Sequence, residues 1–154
     1  MRDFNKADRA KKKSRIRIRE NPGNLSGELL SELEKTVKKS LKGGYLPCPV
    51  AWGIAKKFDI PRIAVGETAD RLGIRVTDCQ LGCFKVEKTV YDASSHEIAG
   101  GDITGILDAV EDKDNLTCAA VFELAGRYGI KPLAIANTMS ARGHKIHDCQ
   151  LGCF

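Results

Sequence analysis

The residues best equipped for chemistry in this 154-residue chain are its six cysteines, and their spacing is regular. Cys48, Cys79 and Cys83 recur 70 positions later as Cys118, Cys149 and Cys153. Two cysteines of each set lie in a heptapeptide that occurs twice: Asp78–Phe84 and Asp148–Phe154 both read DCQLGCF. Three thiolates per set suggest a metal. Cysteines four apart share a face of a helix or a strand. Gly82 or Gly152 permits a bend, and Cys48 or Cys118 arrives from the start of a preceding helix. Three thiolates are one ligand short of a closed zinc site. In the second set His144 or His147 completes a Cys3His group, whereas the first has Ile74 and Thr77 at those places. A three-thiolate iron–sulfur cluster with an outside ligand, or thiols shared across an interface, would be more symmetrical. Two other readings stay open beside zinc or a cluster. Cysteine packs as a small hydrophobe, which makes the heptapeptide a buried closing strand; exposed thiolates instead serve redox sensing.

Nothing else in the chain resembles catalytic machinery. It has no P-loop, no nucleotide-binding glycine fingerprint, no nucleophile elbow and no HExxH, so the expectation is a protein that is not an enzyme. With 42% apolar residues the composition is that of a globular protein. No run approaches the roughly 20 apolar residues that span a bilayer. The N-terminus is charged from residue 2 onward, unlike a secretory signal, which points to the cytoplasm. Thiols stay reduced there, so disulfides are not expected. Charge is unevenly distributed. From Met1 to Arg19 nine basic residues face two acids, a local +7, so the rest of the chain carries −2 of the net +5. Residues 1–14 read as a basic, flexible or loosely helical tail in which Lys11, Lys12 and Lys13 suit a phosphate backbone.

The elements that position these residues follow the same 70-residue period, with units at 15–84 and 85–154. Units this small need further stabilisation from each other, a homodimer or a metal. Arg15–Arg19 and Val86–Tyr91 alternate like strands. Leu29, Leu33, Val37 and Leu41 form one stripe of a helix over 25–42, capped by Ser26 and stopped by Gly43-Gly44. Asp102 caps its counterpart, which carries Ile103, Ile106, Leu107 and Val110. A helix over 49–58, a turn at Asp59-Ile60 and a helix starting at Pro61 recur as 116–128, Gly129-Ile130 and 131–142. Trp52 and Phe122 fall at matching core positions. The fold class expected is mainly α with short β-strands: two repeated three-helix units packed together.

Each paired helix resembles the helix-turn-helix motif of DNA-binding proteins. Ala125 in the first helix, Gly129-Ile130 at the turn and Ile135 in the second carry the resemblance; Ala55, Ile60 and Val65 match, with Asp59 in place of the glycine. The resemblance implies that the second helix of each pair enters the major groove. Lys131, Asn137, Ser140 and Arg142 would then contact DNA on an acid-free helix. In the first unit Arg62 and Arg71 would do so, but Glu67 and Asp70 would repel phosphates. The function implied is a DNA-binding transcriptional regulator, tuned by metal or thiol state. The alternative is a cysteine-based metal-binding or protein-docking module.

Overall fold

A computed structural model describes residues 5–15, 21–84, 103–108 and 116–154. It is mainly helical with a small two-stranded sheet. The chain divides into two compact units, Met1–Cys79 with Gln150–Phe154, and Gln80–Cys149. The final five residues group with the first unit, and Gln80 onward with the second.

In the first unit, α1 (Lys6–Arg15) forms within the basic segment, the helical one of the two expected alternatives. It starts on a reciprocal cap: Asn5 Oδ1 accepts from the Asp8 N–H at 3.0 Å, and Asp8 Oδ2 accepts from the Asn5 N–H at 3.2 Å. Arg15 ends this helix instead of opening a strand, and the rest of the RIRIR segment lies outside the described residues. Helix α2 (Gly27–Lys39) has the expected Ser26 cap on the Leu29 N–H, and buries Leu33 and Val37 completely. It ends before Lys42, because Lys42 pairs instead with Tyr45 across the left-handed Gly43-Gly44 turn.

Strand β1 (Leu46–Pro47) leads directly into α3 (Cys48–Phe58). Asp59 takes φ 52°, and the Ile60 N–H donates back to the Ala55 carbonyl at 3.0 Å, which closes α3 as a glycine would. Aspartate tolerates this backbone, so the missing glycine does not prevent the turn. Helix α4 (Arg62–Arg71) packs on α2 and α3, and β2 (Val76–Thr77) runs parallel to β1 with Leu46 opposite Val76. Every residue of α4 from Ala64 to Asp70 is buried.

The second unit holds α5 (Ile103–Asp108), α6 (Cys118–Tyr128) and α7 (Pro132–Ala141). The Asp102 cap, Val110 and the Val86–Tyr91 strand lie outside the described residues. Thr117 caps α6, Gly129 ends it at φ 65°, and α7 contacts both α5 and α6. Leu107, Val121, Ile135 and Met139 are fully buried. Thr117 and His147 form a parallel bridge, with Cys118 N–H donating to the His147 carbonyl at 2.9 Å. Among the described residues no helix is long and apolar enough to cross a membrane.

Candidate functional site

The heptapeptide is a turn, not the closing strand expected from its sequence. Asp78 and Asp148 have φ of 52° and 49°, and Gly82 and Gly152 of 67° and 65°. Two left-handed residues four apart cannot continue a strand, and Asp and Gly are the types that tolerate that backbone. Leu81 and Leu151 are buried, the latter completely. In the first unit the segment Gln150–Phe154 lies against α4. A Cβ on Gly66 would stand 2.8 Å from the Leu151 carbonyl carbon and closer still to its oxygen, so only glycine admits this approach. Gln150 Oε1 accepts a hydrogen bond from an Arg62 guanidinium nitrogen.

The cysteines are distributed by this geometry. Cys48, Cys79 and Cys118 are buried, Cys149 and Cys153 half-buried, and Cys83 exposed. The strand register brings Cys48 and Cys79 to adjacent chain positions, just beyond the Pro47–Thr77 pair. Cys83 falls in the second unit and Cys153 in the first. Among the described residues no three His, Cys, Asp or Glu side chains converge on a common point that would hold a metal. The expected set of Cys48, Cys79 and Cys83, and that of Cys118, Cys149 and Cys153 with a histidine, are therefore not assembled. The physical reason is the turn: the left-handed glycine redirects the chain between the two cysteines. His147 contributes its backbone to the bridge with Thr117.

The basic residues divide into two classes. In the first unit Arg9, Lys12, Arg62, Arg71 and Arg75 are taken up internally. Lys12 Nζ is 2.5 Å from Asp70 Oδ2, with both side chains nearly buried. Arg9 reaches Glu67 at 4.0 Å, and Arg75 binds Asp8 at 2.9 Å. Glu67 and Asp70 thus face α1 rather than a phosphate backbone, and Lys12 is committed to a protein carboxylate. Lys11 and Lys13 stay exposed on either flank of Lys12 in α1. Arg71 turns to Glu34 of α2 at 3.3 Å. Arg62 stacks its guanidinium 3.5 Å from the centre of the Trp52 ring. Trp52 itself is half-buried rather than core. Arg62 and Arg71, both half-buried, flank the stretch of α4 from Ala64 to Asp70 that is buried throughout.

Helix α7 is different. Lys131, immediately before it, and Ser140 are exposed, Asn137 is half-buried, and α7 carries no acid. Arg142, just beyond its end, meets Asp108 of α5 at 2.8 Å. That acid, invisible to a reading of α7 alone, is itself more than half exposed, so the pair is solvated and readily exchanged.

Burial holds the Asp70 carboxyl above its usual range, against the opposing pull of Lys12 and Arg9. The folded state then holds this proton more tightly than the unfolded chain. Asp70's contribution to stability is accordingly greatest in acid and is lost as pH rises through its folded pKa. Asp70→Asn should remove that component from the slope of unfolding free energy against pH, measured by urea denaturation between about pH 3 and 7.

Sequence reasoning missed the pairing of α1 with α4. Its signal was present: two acids three apart on one helix of a slightly acidic body, facing a strongly basic tail. No protein-family model matches the chain, and neither a curated protein nor a solved structure is significantly similar to it.

Proposed function

We propose that the protein is a DNA-binding regulator in which α7 reads the major groove. The reading takes α2–α3–α4 and α5–α6–α7 as tandem helix-turn-helix-like units that have diverged, one sealed and the other open. The observation that carries it is the contrast between the two second helices. Helix α4 has no exposed position from Ala64 to Asp70, whereas α7 follows a left-handed glycine turn, carries no acid and exposes Leu133 and Ser140, with Asn137 and Thr138 half-buried between them. Asn137 has the paired donor and acceptor that match adenine, and the Arg142 fork matches guanine. Lys131, at the start of α7, suits a phosphate and so sets register rather than sequence. Lys11 and Lys13, exposed on either flank of Lys12 in α1, would add backbone contacts.

The test is fluorescence anisotropy with labelled duplexes across a salt series. Arg142→Ala should lose roughly 1–3 kcal/mol of binding to a preferred site. Lys131→Ala should weaken all duplexes alike and reduce the slope of log K against log salt by about 0.9. Arg71→Ala should change neither. Equal losses from Arg71→Ala and Arg142→Ala would refute the assignment to α7.

A second reading, a cysteine-based metal-binding or docking module without DNA binding, draws support from the first unit, where Lys12, Arg62 and Arg71 all serve internal partners. Stoichiometric zinc or iron in anaerobically purified protein, lost on Cys83→Ala or Cys153→Ala, would favour it.

A further inference from the structure

The first unit has a cleft that the DNA reading does not use. Trp52, Gly53, Ala55, Lys56, Asp59, Ile60 and Arg62 enclose about 430 Å³ between the end of α3 and the start of α4. That is the size of a small-metabolite site, not of a groove for a polymer. Lys56 follows Trp52 by four residues, so both project from one face of α3. Gly53 beside them has nothing within 4 Å of where a Cβ would lie, which leaves the mouth open.

Arg62 is held before any ligand arrives. The indole of Trp52 supports its plane at 3.5 Å, and Gln150 of the closing segment accepts a hydrogen bond from one terminal nitrogen. A guanidinium fixed in this way gives up little rotamer entropy on binding, and its edge away from Gln150 has the two parallel donors that match a carboxylate or phosphate. Lys56 supplies a second cation, against one acid at the rim, Asp59. Ala55, Ile60 and the indole provide the apolar and flat walls. We propose that this cleft binds a small anion with a planar ring, its carboxylate or phosphate on Arg62 and Lys56 and its ring stacked along the Trp52–Arg62 pair.

The second unit does not reproduce these features. Phe122, Gly126 and Pro132 stand 70 positions after Trp52, Lys56 and Arg62, so both cations are absent. The cation pair is thus particular to this position of the first unit, and occupancy of the cleft does not depend on whether α7 binds DNA.

Trp52 is the only tryptophan of the chain, so its emission reports on the site directly. The full-length protein would be titrated with AMP, benzoate and inorganic phosphate, with calorimetry as a second readout. The expected result is saturable quenching by AMP, by benzoate or by both, with at least tenfold weaker affinity for phosphate alone. AMP alone would assign the anion as a phosphate ester, benzoate alone as a carboxylate. Lys56→Ala, which leaves the Trp52–Arg62 stack in place, should weaken binding about tenfold in both readouts, a loss of 1.4 kcal/mol. Gln150→Ala should weaken it less. No saturable response to any of the three, an equal response to phosphate alone, or binding unaffected by Lys56→Ala would overturn the proposal.

Discussion

Gly66→Ala is expected to destabilise the protein by roughly 2–4 kcal/mol, although alanine is the better helix former by about 1 kcal/mol. Gly66 lies within α4, where intrinsic propensity alone favours the substitution. The added methyl would collide with the Leu151 backbone, an obstacle that cannot rotate away as a side-chain tip can. Seating of Gln150–Phe154 would be lost, and with it the complete burial of Leu151 and the tether between Gln150 and Arg62. Removing a buried leucine's packing is worth roughly 2–5 kcal/mol, which exceeds the propensity gain. In thermal unfolding this corresponds to a fall of about 5–15 °C. Gly53→Ala is the internal comparison. It lies in α3 with open space around it, and should raise stability by about 0.5–1 kcal/mol. Opposite signs for two Gly→Ala changes in neighbouring helices would locate the closing segment on α4; the same sign for both would show that it does not seat there.

The second large effect concerns α1. This helix buries none of its described side chains, so its position rests on charge. Lys12→Ala removes the closest of its ion pairs and leaves the buried Asp70 carboxyl without its main stabilising cation. Breaking a buried pair from one side typically costs about 3–5 kcal/mol. Here the loss is capped, because α1 can lift and return Asp70 to water. The expected outcome is a released helix on an intact body: faster tryptic cleavage within residues 6–15, by tenfold or more, with a smaller change in global unfolding. The double change Lys12→Asp with Asp70→Lys should restore protection. Raised ionic strength should speed cleavage of the unaltered protein as well, since the Arg9–Glu67 and Arg75–Asp8 pairs are partly accessible to ions. Cleavage unchanged in Lys12→Ala would mean that charge does not hold α1 in place.

Much of the helical skeleton was legible in the sequence because local rules decide it. Ser26 caps α2, its leucine and valine stripe faces inward, and Gly129 closes α6 with a left-handed residue, each as the residue types dictate. The two-residue strands were harder to place. Leu46 and Pro47 lack any alternating pattern long enough to mark a strand, and they are paired only through contact with Val76 and Thr77 thirty residues later. The identity of the two heptapeptides was plain, but its cause was not. Asp and Gly are held there by positive φ, and leucine by burial; neither demand can be separated in sequence from a demand made by metal ligation. The packing of the basic segment was hidden for a similar reason. Composition registers nine cations but not that two of them, Arg9 and Lys12, meet Glu67 and Asp70, nor that Asp8 of the same segment meets Arg75. Conversely, an acid-free α7 was visible from sequence, while Asp108 beside Arg142 required the fold.

The central claim is that α7, and not α4, meets DNA. Its most direct measurement is retardation of mixed genomic duplex fragments by the full-length protein at low salt, run beside Lys131→Ala/Arg142→Ala and Arg62→Ala/Arg71→Ala. The expected result is retardation by the unaltered protein and by the α4 pair of changes, weakened strongly by the α7 pair. No retardation by the unaltered protein would contradict DNA binding altogether, and retardation lost only with the α4 changes would contradict the assignment of the reading helix.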